Sequence, residues 1–528
     1  MSASMYRSAG LFVMASAMAG AALLFAAQDA RAQDTRVVEA AAAQDAEAVR
    51  TLVERGADVD ARWADGSTAL LWAAHWNDLD MAGLLLAAGA DVTTADDHGV
   101  TPLDRAAENA SLPMAETLLA AGADVNAARA SGLTPLMVAA RTGSAAVVDA
   151  LLAGGAQVNA RTGATSGSAL MWAVAGSHAD VARALLDAGA QPATSTADGF
   201  TPLLFAAANG DIPMAEALIA AGVDVNDAGT DGTHALPYAI ANGQDAFARF
   251  LLRQGADPNG AMGGIHALHV AAGNVGTWLG DWSRGHGYGG RFRGRNLPPD
   301  RRLSLVQALL ERGADVDARI TTSAMFMSYI GHPTKGAFEG FATGTGDLRG
   351  ATPLWVAAYA ANSGGGGGAL EIIRTLLAAG ADQHLKTDDG TTPFMVAAGL
   401  GRATYTPREP RGVRSESAEA AVRILLEAGA DINAANEADF TALHGAAYRG
   451  LNEVIEYLVA EGADIDARDF RGRTPYRIAE GTKQSFQFQS WPDSAALLER
   501  LGANTRLGIP GTVQEKIRDV PAATNEQF

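Results

Sequence analysis

The stretch near residues 276–301 carries the clearest binding chemistry in the sequence, because aromatic rings and guanidinium groups are interspersed there. Trp, Tyr and Arg side chains dominate the strongest contacts of protein interfaces, and Arg also stacks on aromatic faces. The composition predicts contact with a protein partner or, alternatively, with a small molecule or glycan stacked on the rings. A self-packed cover and a disordered segment are the structural alternatives. The candidate residues are Trp278, Trp282, Arg284, Tyr288, Arg291, Phe292 and Arg293.

Other chemically capable residues do not assemble into a catalytic or metal-binding pattern. His266 and His269 are three residues apart and could share a helix face, but a metal site needs further ligands that the sequence does not supply nearby. The glycines 364–368 precede Ala-Leu-Glu, so the Lys-Ser/Thr of a phosphate-binding loop is missing. We therefore predict no enzyme activity, no catalytic residues, no cofactor and no metal.

A triplet similar to Gly-Ala-Asp closes an apolar helical pattern again and again. Its first glycines lie 33, 33, 33, 34, 33 and 33 residues apart, and a period of 33 residues indicates a stacked repeat architecture. These glycines are Gly56, Gly89, Gly122, Gly155, Gly189, Gly222, Gly255, Gly313, Gly380, Gly429, Gly462 and Gly502.

One regular repeat shows how the residues select the structure. Thr101 can cap a helix that begins at Pro102, where proline loses no hydrogen bond. A second helix follows Pro113, and Gly122 can end it because glycine readily adopts positive φ. An extended excursion then leads to the next Thr-Pro-Leu.

The pattern Thr-Pro-Leu, paired small residues, a leucine-rich second helix and Gly-Ala-Asp-Val-Asn resembles the ankyrin repeat over about residues 34–504. The resemblance implies an all-α solenoid of about 12 helix-turn-helix units with β-hairpin fingers and several long inserts. It also implies that residues at the ends of the first helices face a concave groove. The candidates for partner contact at such positions are His75, Trp76, Arg141, Tyr359, Tyr448 and Arg449.

Breaks in the period locate the inserts, and the array is predicted to span 33–504. The inserts lie near 276–301, 320–350, 363–368, 402–417 and 481–491, and a flexible tail is expected at 505–528. An insert between two helices of a pair should emerge at the end of the stack opposite the fingers. Because long loops in compact folds are often functional, localised function is expected between Gly255 and Gly429.

The N-terminal residues 1–32 have the pattern of a signal peptide. A short positive region at Arg7 precedes an apolar run, and Ala30-Arg31-Ala32 forms a small-x-small cleavage site before Gln33. The expected location is the periplasm or the outside of the cell, with no stable membrane insertion after cleavage. The alternative is an uncleaved anchor, because 19 apolar residues can just span a bilayer.

Composition narrows the partner. The formal net charge of −19 argues against nucleic acid as the partner, because a protein that binds nucleic acid needs a basic surface. The same charge favours a protein partner with a basic patch. The chain has no cysteine, which excludes disulfides and thiolate metal sites. We therefore predict a non-enzymatic scaffold for protein–protein interaction. Glycan or small-molecule binding through 276–301 and a membrane-tethered scaffold are the alternatives, and the oligomeric state is left open.

Overall fold

The computed structural model describes residues 34–163, 165–276, 278–279, 282–283, 286, 297–322, 349–362, 368–400, 415–470, 472–484 and 487–507. They belong to two compact units, unit 1 up to Gln191 and unit 2 from Pro192. The predicted signal peptide lies outside the described residues, as do residues 508–528 of the predicted tail and most of the inserts at 320–350, 363–368 and 402–417. In the described part of the chain, no helix combines the length and apolar character needed to cross a bilayer.

Unit 1 consists of antiparallel helix pairs joined by short turns. Most first helices begin after a Thr or Ser whose hydroxyl accepts a backbone N–H of the first turn, as Thr101 does from Asp104. The helices are α1 (Arg36–Ala42), α2 (Ala46–Glu54), α3 (Ala69–Trp76), α4 (Leu79–Ala87), α5 (Pro102–Glu108), α6 (Leu112–Ala120), α7 (Pro135–Thr142), α8 (Ala145–Ala153), α9 (Ala169–Ala175) and α10 (Ala179–Asp187).

Unit 2 continues the same pairing with more elaborate connections. Its helices and strands are α11 (Pro202–Asn209), α12 (Ile212–Ala220), α13 (Ala235–Ala241), α14 (Asp245–Arg253), β1 (Ala261–Met262), β2 (Ile265–His266), α15 (Ala267–Ala272), α16 (Pro299–Glu311), α17 (Pro353–Ala361), α18 (Ala369–Ala378), α19 (Pro393–Ala397), α20 (Glu416–Glu427), α21 (Ala442–Arg449), α22 (Asn452–Ala460), α23 (Pro475–Glu480), β3 (Thr482–Gln484), β4 (Gln487–Gln489) and α24 (Pro492–Arg500).

Within each unit the helices pack in two rows. First helices contact first helices of neighbouring pairs, as α3 contacts α1 and α5, and second helices form a parallel row. The core between the rows is made of small and aliphatic side chains. In α5 and α6 it comprises Leu103, Ala106, Ala107, Met114, Ala115 and Leu118. This is the helical-repeat solenoid that the period of 33 residues predicts.

The repeated glycines are required by backbone conformation. Gly122 has φ of +92°, and a Cβ placed on it would meet no atom within 4 Å, so there is room for a side chain. The left-handed conformation itself selects glycine, because a Cβ destabilises it.

An asparagine four residues after the repeated glycine joins neighbouring repeats. Asn126 accepts the backbone N–H of Gln157 (2.8 Å) and donates to the carbonyl of Gly155 (3.3 Å). Asn433 makes the same two bonds to the repeat that follows it: it accepts the backbone N–H of Asp464 and donates to the carbonyl of Gly462. A side-chain amide can do both because it is donor and acceptor at once.

The fingers between pairs depart from the prediction of β-hairpins. Among the described fingers, only residues 261–266 form a ladder, with Met262 opposite Ile265. The others are held by turns, such as the bonds from Asp96 N to Val100 O (3.0 Å) and from Gly99 N to Asp96 O (2.9 Å). The predicted insert at 481–491 contains the antiparallel pair β3–β4, between the two helices α23 and α24.

Candidate functional site

Unit 1 presents a cluster of four aromatic rings on the first helix α3 and the finger before it. Trp72 contacts Trp63 edge to face (5.5 Å between centroids) and stacks on Trp76 (6.0 Å), and His75 lies 4.6 Å from Trp76. Trp76 is 41% exposed, the highest value among the exposed large hydrophobic side chains that the structure describes, and the other three are half-buried. We call Trp63, Trp72, His75 and Trp76 the aromatic cluster. It combines the residue types and partial exposure of an interface anchor.

Hydrogen bonds fix the orientation of these rings. Trp72 donates through Nε1 to Ser67 Oγ (3.3 Å), and Ser67 donates to Asp65 Oδ1 (2.6 Å). Trp76 donates to the carbonyl of Ala42 at the end of α1 (3.2 Å). A partner would therefore meet a surface that is already ordered. The side chains of the cluster would lose little rotamer entropy when the partner binds.

The helix next to the cluster, α5, carries an ionic network. Arg129 donates to Asp104 Oδ1 (3.2 Å) and Glu108 Oε1 (2.8 Å), and Arg105 donates to Glu108 Oε2 (2.7 Å). Burial raises the pKa of Asp104 despite its bonds from Thr101 and Arg129. For Glu108, burial also acts to raise the pKa, but the bonds from the two arginines outweigh it and the pKa lies below its usual value. Asp104, the buried member of this network, stands at a position of the first helix where many of these repeats bury an apolar or histidine side chain.

A cation–π pair follows on α7 and α9. The guanidinium carbon of the exposed Arg141 lies 5.8 Å from the centroid of the Trp172 ring. The Nε1 of Trp172 is buried without a hydrogen-bond partner among the described residues. Gly167 stands five residues before Trp172, just as Ser67 stands five before Trp72, so the hydroxyl that serves Trp72 has no counterpart.

In unit 2, by contrast, residues of the insert near 276–301 cover the first helices. Trp278 is 3% exposed and packs edge to face on Trp355 (6.2 Å) and Tyr359 (5.3 Å) of α17. Trp355 and Tyr359 stack on each other at 5.5 Å. Trp278 is therefore an internal contact, and Tyr359 is half-buried beneath it.

The second insert tryptophan, Trp282, is 8% exposed and lies at the base of the fingers. Its Nε1 donates to Asp231 Oδ2 (2.9 Å) and Thr233 Oγ1 (2.8 Å). Its ring contacts Phe200 (6.3 Å) and Tyr238 (5.6 Å). The expectation that this insert lies opposite the fingers is wrong for Trp282, because both of its hydrogen-bond acceptors belong to a finger.

Two further predicted residues, Tyr448 and Arg449, lie near the end of unit 2. Tyr448 is 3% exposed, and its carbonyl accepts a hydrogen bond from Nε1 of Trp491 (2.8 Å). Arg449 is half-buried. Arg284, Tyr288, Arg291, Phe292 and Arg293 lie outside the described residues.

Buried histidines serve the packing of the repeats. His269 donates from Nε2 to the carbonyl of Ala351 (3.0 Å), and burial lowers its pKa to about 3. His444 accepts from Thr441 N at Nδ1 (3.1 Å) and donates to Arg473 O (3.3 Å). Across the described ranges, no group of three or more His, Cys, Asp or Glu side chains is arranged to hold a metal ion.

The structure thus separates the predicted binding residues into two groups. His75, Trp76 and Arg141 remain accessible in unit 1, whereas Trp278, Trp282 and Tyr448 are covered by the chain itself. The binding role of every one of them stays a prediction. Trp63 was missed by sequence reasoning, since it lies nine residues before Trp72 in a finger and no helical periodicity connects the two.

Comparison with known proteins identifies the architecture. The family model for ankyrin repeats (three copies) matches residues 37–129, 126–196, 170–262 and 354–469. These segments cover more than half of the chain.

Individual relatives match shorter segments. Alpha-latroinsectotoxin-Lt1a of Latrodectus tredecimguttatus is 33% identical over 145 residues, which are 27% of this chain and 8% of the toxin. A homologue of transient receptor potential cation channel subfamily A member 1 from Caenorhabditis elegans is 32% identical over 106 residues, 20% of this chain and 7% of that protein. Human ankyrin repeat and SOCS box protein 16 is 36% identical over 110 residues, 21% of each chain. The similarity covers a small part of each relative.

Proposed function

The chain belongs to the ankyrin-repeat family, and we propose that it is a non-enzymatic scaffold that binds another protein through the aromatic cluster of unit 1. Ankyrin repeats generally mediate protein–protein interaction. The observation that carries the proposal is the exposure of Trp76 beside Trp63, Trp72 and His75 on a surface fixed by hydrogen bonds. In unit 2, the aromatic residues Tyr238, Trp355 and Tyr448 on the first helices are covered by the chain itself.

Charge supports a partner with a basic patch. Residues 34–191 contain 20 Asp and Glu side chains against nine Arg and no Lys. Around the cluster, the finger residues Asp65 and Asp97 are exposed. Two nearby arginines, Arg105 and Arg129, are already paired with carboxylates of α5. A cationic side chain that approached Trp76 would meet an aromatic face in a negative field. Binding should therefore weaken as salt rises.

The test is crosslinking in the cell with the tagged full chain, followed by identification and purification of the enriched protein. Trp76→Ala should weaken binding of that protein by about 30-fold, because removal of an interface tryptophan commonly costs ~2 kcal/mol or more. Leu501→Ala is the matched control, since Leu501 is a hydrophobic side chain of similar exposure (36%) in the last repeat. Equal affinity of the Trp76→Ala and Leu501→Ala variants, or the absence of any enriched partner, would contradict the proposal.

We also propose, from the sequence of residues 1–32, that the chain is exported to the periplasm or secreted. Mass spectrometry of the protein from cells tests this. A chain that begins at Gln33 supports export with cleavage, and a chain that retains the apolar run supports the membrane-tethered alternative. Recovery of the intact chain from the cytoplasm would refute both.

A further inference from the structure

Trp282 occupies a site on unit 2 whose shape and polarity match an indole. Phe200 and Tyr238 contact its ring, and a Cβ placed on Gly263 would lie 3.1 Å from the Cβ of Trp282. Asp231 and Thr233 together accept its single N–H. We call these five residues the indole site.

An imidazole has a place in the same site. His286 stacks on Trp282 with 4.3 Å between centroids, and its Nε2 lies 3.3 Å from Asp231 Oδ2. Its Nδ1 donates to the carbonyl of Trp282 (2.7 Å). One carboxylate oxygen of Asp231 therefore accepts the indole N–H and lies beside an imidazole nitrogen, an arrangement that suits a tryptophan followed by a histidine.

The acceptor pair recurs in unit 1, in the finger that precedes α3. Asp65 and Ser67 stand five and three residues before the motif leucine Leu70, the positions that Asp231 and Thr233 hold before Leu236. Ser67 likewise bonds to its aspartate and accepts an indole N–H, that of Trp72. In unit 2 the corresponding first-helix residue is Tyr238, and the indole comes from the insert.

Where the insert contacts the rest of unit 2, two buried polar groups have no hydrogen-bond partner among the described residues. Ser283, beside Trp282, is fully buried, and its hydroxyl has no hydrogen-bond partner among the described residues. The Nε1 of Trp355, whose ring Trp278 contacts, is likewise buried without one. A buried polar group without a hydrogen bond destabilises the contact that buries it. Release of the insert lets water bond to these groups, which lowers the free-energy cost of displacing the insert.

We propose that the indole site is a recognition site for a chain segment that presents a tryptophan followed by a histidine, as Trp282 and His286 do. The insert segment with Trp278, Trp282 and His286 occupies it as a built-in competitor. This inference adds a second, autoinhibited surface to the proposed scaffold and does not depend on the aromatic cluster. A partner segment gains access to unit 2 only when it displaces Trp282.

The test measures binding in trans of a fluorescein-labelled peptide with the sequence of residues 275–302, by fluorescence anisotropy. The proteins are the full chain and an opened variant, Trp278→Ala with Trp282→Ala. A tethered competitor acts at an effective concentration on the order of 1 mM. For a peptide that binds the opened variant with a Kd of about 10 μM, the full chain should therefore bind about 100-fold more weakly.

Matched variants separate the indole site from general exposure of apolar surface. The peptide with Trp282→Ala should lose binding to the opened variant, and Asp231→Asn in that variant should weaken the wild-type peptide at least tenfold. Trp491→Ala is the control chain, because Trp491 covers a helix end through Tyr448 and should leave peptide binding at the level of the full chain.

Equal binding of the peptide to the full chain and to a folded opened variant would overturn the proposal. Circular dichroism establishes whether the opened variant is folded. If it is not, Trp282→Phe replaces it, since this change keeps a ring and removes both hydrogen bonds, and it should still bind the peptide more tightly than the full chain does. Trp76→Ala should not alter peptide binding, so failure here and failure of the proposed function are distinguishable.

Discussion

Gly167→Ser should stabilise the protein by supplying the hydroxyl that Trp172 lacks. The repeat around Trp72 is the template, because Ser67 Oγ accepts the N–H of Trp72 at 3.3 Å. Gly167 stands outside the left-handed region, and a Cβ placed on it would lie 3.7 Å from Nε1 of Trp172 with no contact shorter than 3.5 Å. A serine Oγ can therefore reach hydrogen-bonding distance without displacing neighbours.

The magnitude follows from the state of the indole nitrogen. It is buried and unpaired among the described residues, so a new bond satisfies a group that has already lost its water. A net gain of about 0.5–1.5 kcal/mol is typical of such a bond. Gly167→Ala is the control, because it shares the added Cβ and the lower entropy of the unfolded chain, an effect of roughly 0.4–1 kcal/mol.

Urea unfolding followed by circular dichroism measures the effect, with Trp172→Phe made in the alanine and serine backgrounds. The serine variant should exceed the alanine variant by about 0.5–1.5 kcal/mol, and this advantage should vanish when Phe replaces Trp172. A serine variant no more stable than the alanine variant would refute the assignment of an unmet indole N–H.

The remaining predictions concern the core, the repeated glycine and pH. Leu118→Ala and Leu425→Ala should each lower the free energy of unfolding by about 2–5 kcal/mol, because both side chains are fully buried; losses near zero in urea unfolding would contradict the packing described. Gly122→Ala should cost roughly 1–2 kcal/mol through its positive φ alone, and an unchanged unfolding midpoint would show that the turn adapts. His269 has a pKa of about 3 in the folded chain against 6.5 for the unfolded reference, so the unfolded chain binds the extra proton between these values and stability falls as pH decreases through that window. Between pH 7.5 and pH 5 the loss from His269 should be about 2 kcal/mol; it should be absent from His269→Gln, so the difference in stability between wild type and this variant should change by that amount over the same pH range.

The helices and their ends were predictable because their causes are local. Thr101 caps α5 and Pro102 begins it, as expected from adjacent residues. Within the second helix, Met114, Ala115 and Leu118 are buried, whereas Leu119 is only half-buried. Leu118 and Leu119 differ in burial because of how this helix packs against its first helix and the neighbouring second helices. Periodicity alone does not give that orientation.

The candidate site was predictable only in part. Trp76 and His75 could be named because their positions at the end of a first helix follow from the repeat. Trp63 could not, since a finger turn brings it to Trp72. The inserts could be located from the breaks in the period, but the contacts of their tryptophans could not.

The sequence by itself determined the repeat, its caps and its turns, because a cap bond spans three residues and a positive φ belongs to one residue. Only the tertiary structure decided that Trp282 meets Asp231, 51 residues earlier, and that Trp278 packs on Trp355 of a later helix. Such contacts depend on which surfaces the stacked helices bring together. Among the described residues, the tertiary structure also covers Trp278 and Trp282, where composition had pointed to a binding surface, and leaves Trp76 of the regular repeats exposed.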